Sequence, residues 1–160
     1  MVKNSLKQQE IVVICQNIRS LHNVGAFFRT GDAYRVSKIF LCGYTGAPPR
    51  EEISKVALGA ERWIPWEQRP HTWRVVEELR AKGFQIVALE QVAGSVPIIR
   101  FAPKYPLALI FGNEVRGVTK EILKRSDAVV HLPMYGKKES LNVSVAAGAA
   151  LASLRYCIKK

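Results

Sequence analysis

The chain has 160 residues, 48% of them hydrophobic and 23% charged, which excludes a disordered or fibrous polypeptide and leaves one globular domain able to bury a real core. Lys and Arg number 24 against 13 Asp and Glu, a net charge of +11. Such a surface favours polyanions, either nucleic acid or an anionic membrane, unless the charge serves solubility alone.

The small-residue run from Val143 to Leu154 is shorter than the roughly 20 apolar residues a membrane span needs. The start, Met1-Val-Lys-Asn-Ser-Leu-Lys7, lacks the apolar stretch of a signal peptide. Cys15, Cys42 and Cys157 are odd in number and far apart, and His22, His71 and His131 show no ligand spacing. The expectation is a cytoplasmic protein of a reducing compartment, with no membrane, no disulfide framework and no metal.

Short, almost continuously apolar runs occur at Ile11–Cys15, Lys38–Cys42, Gln85–Leu89, Leu107–Phe111 and Ala128–Leu132. That pattern predicts parallel strands buried on both faces. Helices are predicted between them. The segment Val24–Tyr34 places Val24, Phe27, Phe28 and Ala33 near one face, with Asn23 as a plausible N-cap. Gly43–Arg50, with two glycines and two prolines, predicts a surface loop. Glu51–Leu58 predicts a helix, and Trp63–Trp66 a short extra strand. Thr72–Lys82 contributes Trp73, Val76 and Leu79 or Arg80 and ends at Gly83, a suitable cap. Thr119–Arg125 can start at Thr119, and Asn142 or Ser140 can cap the last helix. Strands alternating with helices give an α/β domain with a mainly parallel sheet. Its ligand should sit beyond the strands' carboxyl ends.

Three such ends carry unusual residues. After the first strand comes Asn17-Ile-Arg-Ser-Leu-His-Asn-Val-Gly-Ala-Phe-Phe-Arg-Thr30. Asn23 and Arg29 are six residues apart, about 1.7 helical turns, so they do not share a stripe. Arg29 should address a different neighbour, such as another subunit; an ordinary surface arginine is the plain alternative. Leu109-Ile-Phe-Gly-Asn-Glu-Val-Arg-Gly-Val-Thr119 invites comparison with a phosphate-binding P-loop, but Val118 stands where the lysine must be and Glu114 would repel a triphosphate. Its glycines could still let backbone approach another ligand, such as an adenosine moiety. The third segment, Leu132-Pro-Met-Tyr-Gly-Lys-Lys-Glu-Ser-Leu-Asn-Val-Ser144, runs into a helix whose small side chains permit close packing, within the molecule or against a second copy. Lys137 and Lys138 there are either contacts for a polyanion or a solvated loop tip.

Taken together, Asn23 with Arg29, Phe111-Gly-Asn-Glu114 with Gly117, and Leu132-Pro-Met134 followed by Ser140-Leu-Asn-Val-Ser144 resemble the three motifs of the SpoU/TrmH family of the SPOUT RNA methyltransferases, in order, from Ile11 to about Leu154. In contrast to many members, a single domain over residues 1–160 without an appended RNA-binding domain is expected. The resemblance implies an α/β SPOUT fold with a C-terminal trefoil knot, and a homodimer. It implies S-adenosylmethionine as cofactor, held by Leu89, Gly112, Leu132, Met134 and Leu141. The implied reaction is methylation of a ribose 2′-hydroxyl in tRNA or rRNA, with Arg29 catalytic and Asn23, Glu114, Ser140 and Asn142 ordering the site. Arg19, Arg35, Lys38, Lys137 and Lys138 are candidates for RNA contact. An inactive RNA-binding relative and a base methyltransferase are the rival readings.

Overall fold

A computed structural model describes residues 9–156; Cys157 lies outside them. Seven strands form one parallel sheet in the order β3-β2-β1-β6-β4-β7-β5. They are β1 (Ile11–Gln16), β2 (Lys38–Cys42), β3 (Trp66–Arg69), β4 (Gln85–Leu89), β5 (Val96–Pro97), β6 (Leu107–Phe111) and β7 (Ala128–His131). The helices are α1 (Leu21–Ala33), α2 (Glu51–Ala57), α3 (Thr72–Ala81), α4 (Lys120–Arg125) and α5 (Val143–Tyr156). Short 3-10 turns span Ala60–Arg62 and Ile98–Arg100.

The apolar runs make central strands because every residue of β1 and β6 is buried. Period-two alternation then divides the core into two. Ile11, Val13 and Cys15 of β1 face Phe27, Phe28, Ile53 and Leu151 of the α1, α2 and α5 layer. Val12 and Ile14 face Val75, Val76, Leu79 and Ile122 of the α3 and α4 layer. Phe27 meets Phe111 edge to face at 5.1 Å between centroids. Helices α1 and α2 pack closely at Gly25, where a β-carbon would stand 2.5 Å from the Ile53 carbonyl oxygen. Cys15 and Cys42 are buried, free thiols. Desolvation pushes the Cys42 thiol up to about 12, against a weaker opposing pull from Thr72 and Arg69. Neither cysteine is a ready nucleophile.

Several details differ from the sequence reading. Helix α1 starts three residues earlier than expected, because Ser20 rather than Asn23 is its N-cap and accepts the Asn23 N–H at 3.2 Å. Ala33 is exposed, and Trp73 is 37% exposed while Val75 takes its place in the core. The extra strand runs from Trp66 through two charged residues. Ion pairs of Glu67 with Lys38 (2.8 Å) and Arg69 (3.0 Å) cover that edge, and Arg69 also pairs with Glu78. Strand β5, two residues with a proline, was not anticipated. The cap at Asn142 and the left-handed Gly83 (φ 86°) stand as expected, whereas Thr119 holds the N-cap position of α4 without a side-chain cap bond, its hydroxyl accepting from Gln16 instead.

Candidate active site

Strands β6, β4 and β7 are neighbours, and their carboxyl ends open into a cleft of about 290 Å³. The five expected cofactor residues, Leu89, Gly112, Leu132, Met134 and Leu141, all line it. Glu114, Ser140 and Asn142 line it as well. Asn23 and Arg29 are not on its walls.

The loop after β6 is fixed largely by its own hydrogen bonds. Asn113, buried, donates through Nδ2 to the Asn17 carbonyl and to the Tyr44 hydroxyl, both at 2.9 Å, and accepts through Oδ1 from the N–H of Val115 and of Arg116, both at 2.9 Å. Backbone bonds join Asn113 and Gly117 in both directions. A β-carbon on Gly112 would lie 2.2 Å from the backbone of Gly117 and Val118, and one on Gly117 would meet Glu90 Oε2 at 2.1 Å. The sequence suggested that these glycines let backbone approach a ligand; the close approach seen at Gly112 is to the protein's own backbone, and at Gly117 to the Glu90 side chain.

Glu114 joins this loop to α1. Its carboxylate accepts the backbone N–H of Arg19 (2.9 Å to Oε2) and of Ser20 (3.0 Å to Oε1), and the Asn23 side-chain amide (3.0 Å). Burial alone would raise the Glu114 carboxyl, but these donors outweigh it and hold it below the usual carboxylate range. A carboxylate at this position also suits the positive end of the α1 dipole. The turn it grips is held from behind by the fully buried Thr45, whose hydroxyl donates to the Cys42 carbonyl (2.7 Å) and accepts from the Ile18 N–H (3.0 Å).

Asn142 caps α5, its Oδ1 accepting the Ser144 N–H at 2.9 Å. Arg29 is exposed on α1 and, among the described residues, makes no hydrogen bond or ion pair. Its separation from Asn23, which turns inward to Glu114, agrees with the helical spacing. The candidate RNA contacts are not brought together. Arg19 borders Glu114, and Lys137 and Lys138 are exposed on the loop after β7. Arg35 and Lys38, by contrast, lie at the amino end of β2, away from the cleft edge, and Lys38 is already paired with Glu67.

Sequence reasoning quoted Asn113 within a motif without giving it a role, and passed over Glu90, Thr45 and the contact of Gln16 with Thr119, in which the Thr119 N–H reaches Gln16 Oε1 at 3.0 Å and Gln16 Nε2 reaches Thr119 Oγ1 at 3.0 Å. Gln16 and Glu90 carried a usable signal: Gln16 is a polar residue at the end of an otherwise apolar strand, and Glu90 directly follows the apolar end of β4.

Residues 10–152 match the SpoU rRNA Methylase family. The chain belongs to that family. It is 34% identical over 146 residues to the tRNA (guanosine(18)-2'-O)-methyltransferase of Aquifex aeolicus, covering 91% of this chain and 68% of that protein. It is 30% identical to the 23S rRNA (guanosine-2'-O-)-methyltransferase of Neisseria meningitidis, covering 96% of this chain and 61% of that one. Among solved structures, the AdoMet-bound rRNA methyltransferase from Sinorhizobium meliloti superposes with a TM-score of 0.87 at 30% identity, covering 96% of this chain and 58% of that chain. The chain thus spans roughly three-fifths to two-thirds of the length of these relatives. The SpoU family match overlays the segment that builds the sheet and all three cleft loops.

Proposed function

We propose that this SpoU family chain transfers a methyl group from S-adenosylmethionine to a ribose 2′-hydroxyl of tRNA or rRNA. The observation that carries the reading is the convergence of three sequence-distant loops on one cleft, with Glu114 tying that cleft to the helix that carries Arg29. The residues suit the cofactor. Leu89, Leu132, Met134 and Leu141 would offer apolar walls for a base, and Glu114 and Glu139 would bring to the cleft negative charge that favours a ligand carrying a sulfonium and an ammonium. When bound, the cofactor supplies an electrophilic methyl group.

The chain's own task is to bring a weak nucleophile into line. A ribose hydroxyl must lose its proton as it attacks. Arg29 is unsuited as base, because a guanidinium stays protonated at physiological pH. It serves better by binding an RNA phosphate and orienting the 2′-hydroxyl, while the proton leaves through another group. Because Arg29 is absent from the walls of its own cleft and exposed, the reading includes a homodimer in which Arg29 faces the partner's cleft. Half-buried small residues along α5, including Gly148 and Ala149, leave room for close helix contact. A trefoil knot at the C-terminal loops belongs to the same reading, supported by the fold's likeness to the Sinorhizobium structure.

The test is incubation with isotopically labelled S-adenosylmethionine and undermodified bulk tRNA and rRNA, followed by nucleoside mass spectrometry. A labelled 2′-O-methylnucleoside is expected. A labelled base would overturn the ribose assignment. Cofactor binding with no label in either RNA pool would mean that the right RNA or a partner is missing, and no cofactor binding would favour an inactive RNA-binding protein.

A further inference from the structure

One side chain on the cleft wall has no part in the reaction above. His131, at the end of β7, lines the cleft, and its Nδ1 lies 2.8 Å from Ser95 Oγ. The same Ser95 oxygen is 2.7 Å from the Val92 carbonyl oxygen. A hydroxyl has one proton and a carbonyl oxygen has none. The Ser95 proton must therefore point to Val92, since at that distance two oxygens would otherwise face each other with lone pairs alone. Ser95 Oγ is left to accept from His131. The neutral imidazole consequently carries its proton on Nδ1, and Nε2 is a bare acceptor. This arrangement is anchored by backbone: the Ser95 N–H donates to Val92 O at 3.0 Å, and the next two residues pair with Val130 and His131.

We infer that His131 Nε2 accepts a hydrogen bond from the exocyclic amine of the cofactor's adenine, so that cofactor binding requires a neutral imidazole. The inference rests on the cofactor reading given above. Leu89 and Leu132 beside His131 form an apolar wall suited to a base rather than to the polar methionine end. In such surroundings a directional acceptor distinguishes one base edge from another. An amine cannot turn to accept, so a protonated imidazole sets donor against donor. Ribose hydroxyls, which both donate and accept, would be indifferent to that change.

The other titratable groups facing the cleft are carboxylates: Glu90 beyond β4, Glu114 beyond β6 and Glu139 beyond β7. Both Glu90 oxygens already accept backbone N–H groups, from Gln91 and Val118. Strand β5 brings no charge, the turn after it brings Arg100, and the loop after β7 brings Lys137 and Lys138. The His131→Ala and His131→Gln variants below separate an effect of the imidazole from one of these groups.

Calorimetric titration of the full chain with S-adenosylhomocysteine should show affinity falling about tenfold from pH 8 to 5.5, the scale of one lost hydrogen bond. With S-inosylhomocysteine, which carries a carbonyl in place of the amine, the order should reverse. His131→Ala should flatten both profiles. His131→Gln should bind the adenosyl ligand with little pH dependence, because its carboxamide can accept without titrating. Ser95→Ala should weaken binding a few-fold at pH 8 and leave pH 5.5 unchanged, and long-range 1H–15N spectra of the wild type should show the Nδ1–H tautomer at pH 8. Equal affinity at both pH values, a slope that survives His131→Ala, or parallel behaviour of the two ligands would overturn the inference. No binding of S-adenosylhomocysteine at either pH would instead refute the cofactor reading beneath it.

Discussion

The two loops that close the cleft are built in opposite ways. The loop after β6 is locked: Asn113 makes four side-chain hydrogen bonds, Gly112 touches the backbone of Gly117 and Val118, and Glu114 grips the start of α1. The loop after β7 is open. Tyr135 is 91% exposed, Lys137 through Leu141 are exposed, and no atom lies within 4 Å of a β-carbon built on Gly136. A locked loop holds one geometry and can transmit it to α1, whereas an open one can adapt to a large ligand. A locked loop suits positioning, and the proposed role of the open one, which carries Lys137 and Lys138, is RNA contact.

The largest expected effect lies at the end of the locked connection. Arg29→Ala should lower methyl transfer at least about 100-fold, the scale of losing one transition-state-directed charge, with the Kd for S-adenosylhomocysteine unchanged by calorimetry. Unchanged turnover would remove Arg29 from the mechanism. Next comes a matched pair of glycines. Gly112→Ala forces a methyl into backbone and should cost about 2 kcal/mol in denaturant unfolding, while Gly136→Ala should stay within about 0.5 kcal/mol. Equal costs would erase the distinction between the loops.

Acid should act on the locked side. The Glu114 carboxyl is depressed in the fold, so its contribution is full above its unfolded value near 4.5 and is lost as pH falls through the lower folded value. Glu114→Gln should therefore cost about 1 kcal/mol at pH 7, a figure already reduced for solvent screening, and the difference from wild type should shrink below pH ~4 in thermal melts. The smallest effect belongs to the open loop. Lys137→Ala with Lys138→Ala should leave stability unchanged and weaken RNA binding, reducing the log–log salt slope by roughly 1 to 2. An unchanged slope would return these lysines to solvent.

Much of the fold is legible in the sequence because strands buried on both faces need unbroken apolar runs. Lys38–Cys42, Gln85–Leu89 and Leu107–Phe111 are bounded as read. Failures fall where tertiary partners decide. Strand β3 runs through Glu67 and Arg69, whose charges are neutralised by Lys38 and Glu78 across space. At α1 Ser20 takes the cap expected at Asn23, and Glu114, more than 90 positions away in sequence, takes the Asn23 side chain for itself. Motif resemblance located the cleft residues, but it carried no sign of the supporting bonds from Thr45 and Asn113, which depend on which turns meet. Net charge also says nothing about which end of a sheet a cation occupies, and Arg35 and Lys38 lie at the amino end of β2, apart from the cleft loops.

The proposed sharing of a site between protomers can be tested by subunit complementation. Arg29→Ala would be mixed with Leu141→Arg, a half-exposed cleft-wall change that sets a cation where a cationic cofactor must bind. Each variant should be inactive alone. If Arg29 serves the partner's cleft, refolding an equal mixture should restore roughly a quarter of wild-type methyl transfer, because half the dimers are mixed and each mixed dimer holds one complete site. Activity no higher in the mixture than in either variant would contradict the shared site and return Arg29 to its own protomer's chemistry.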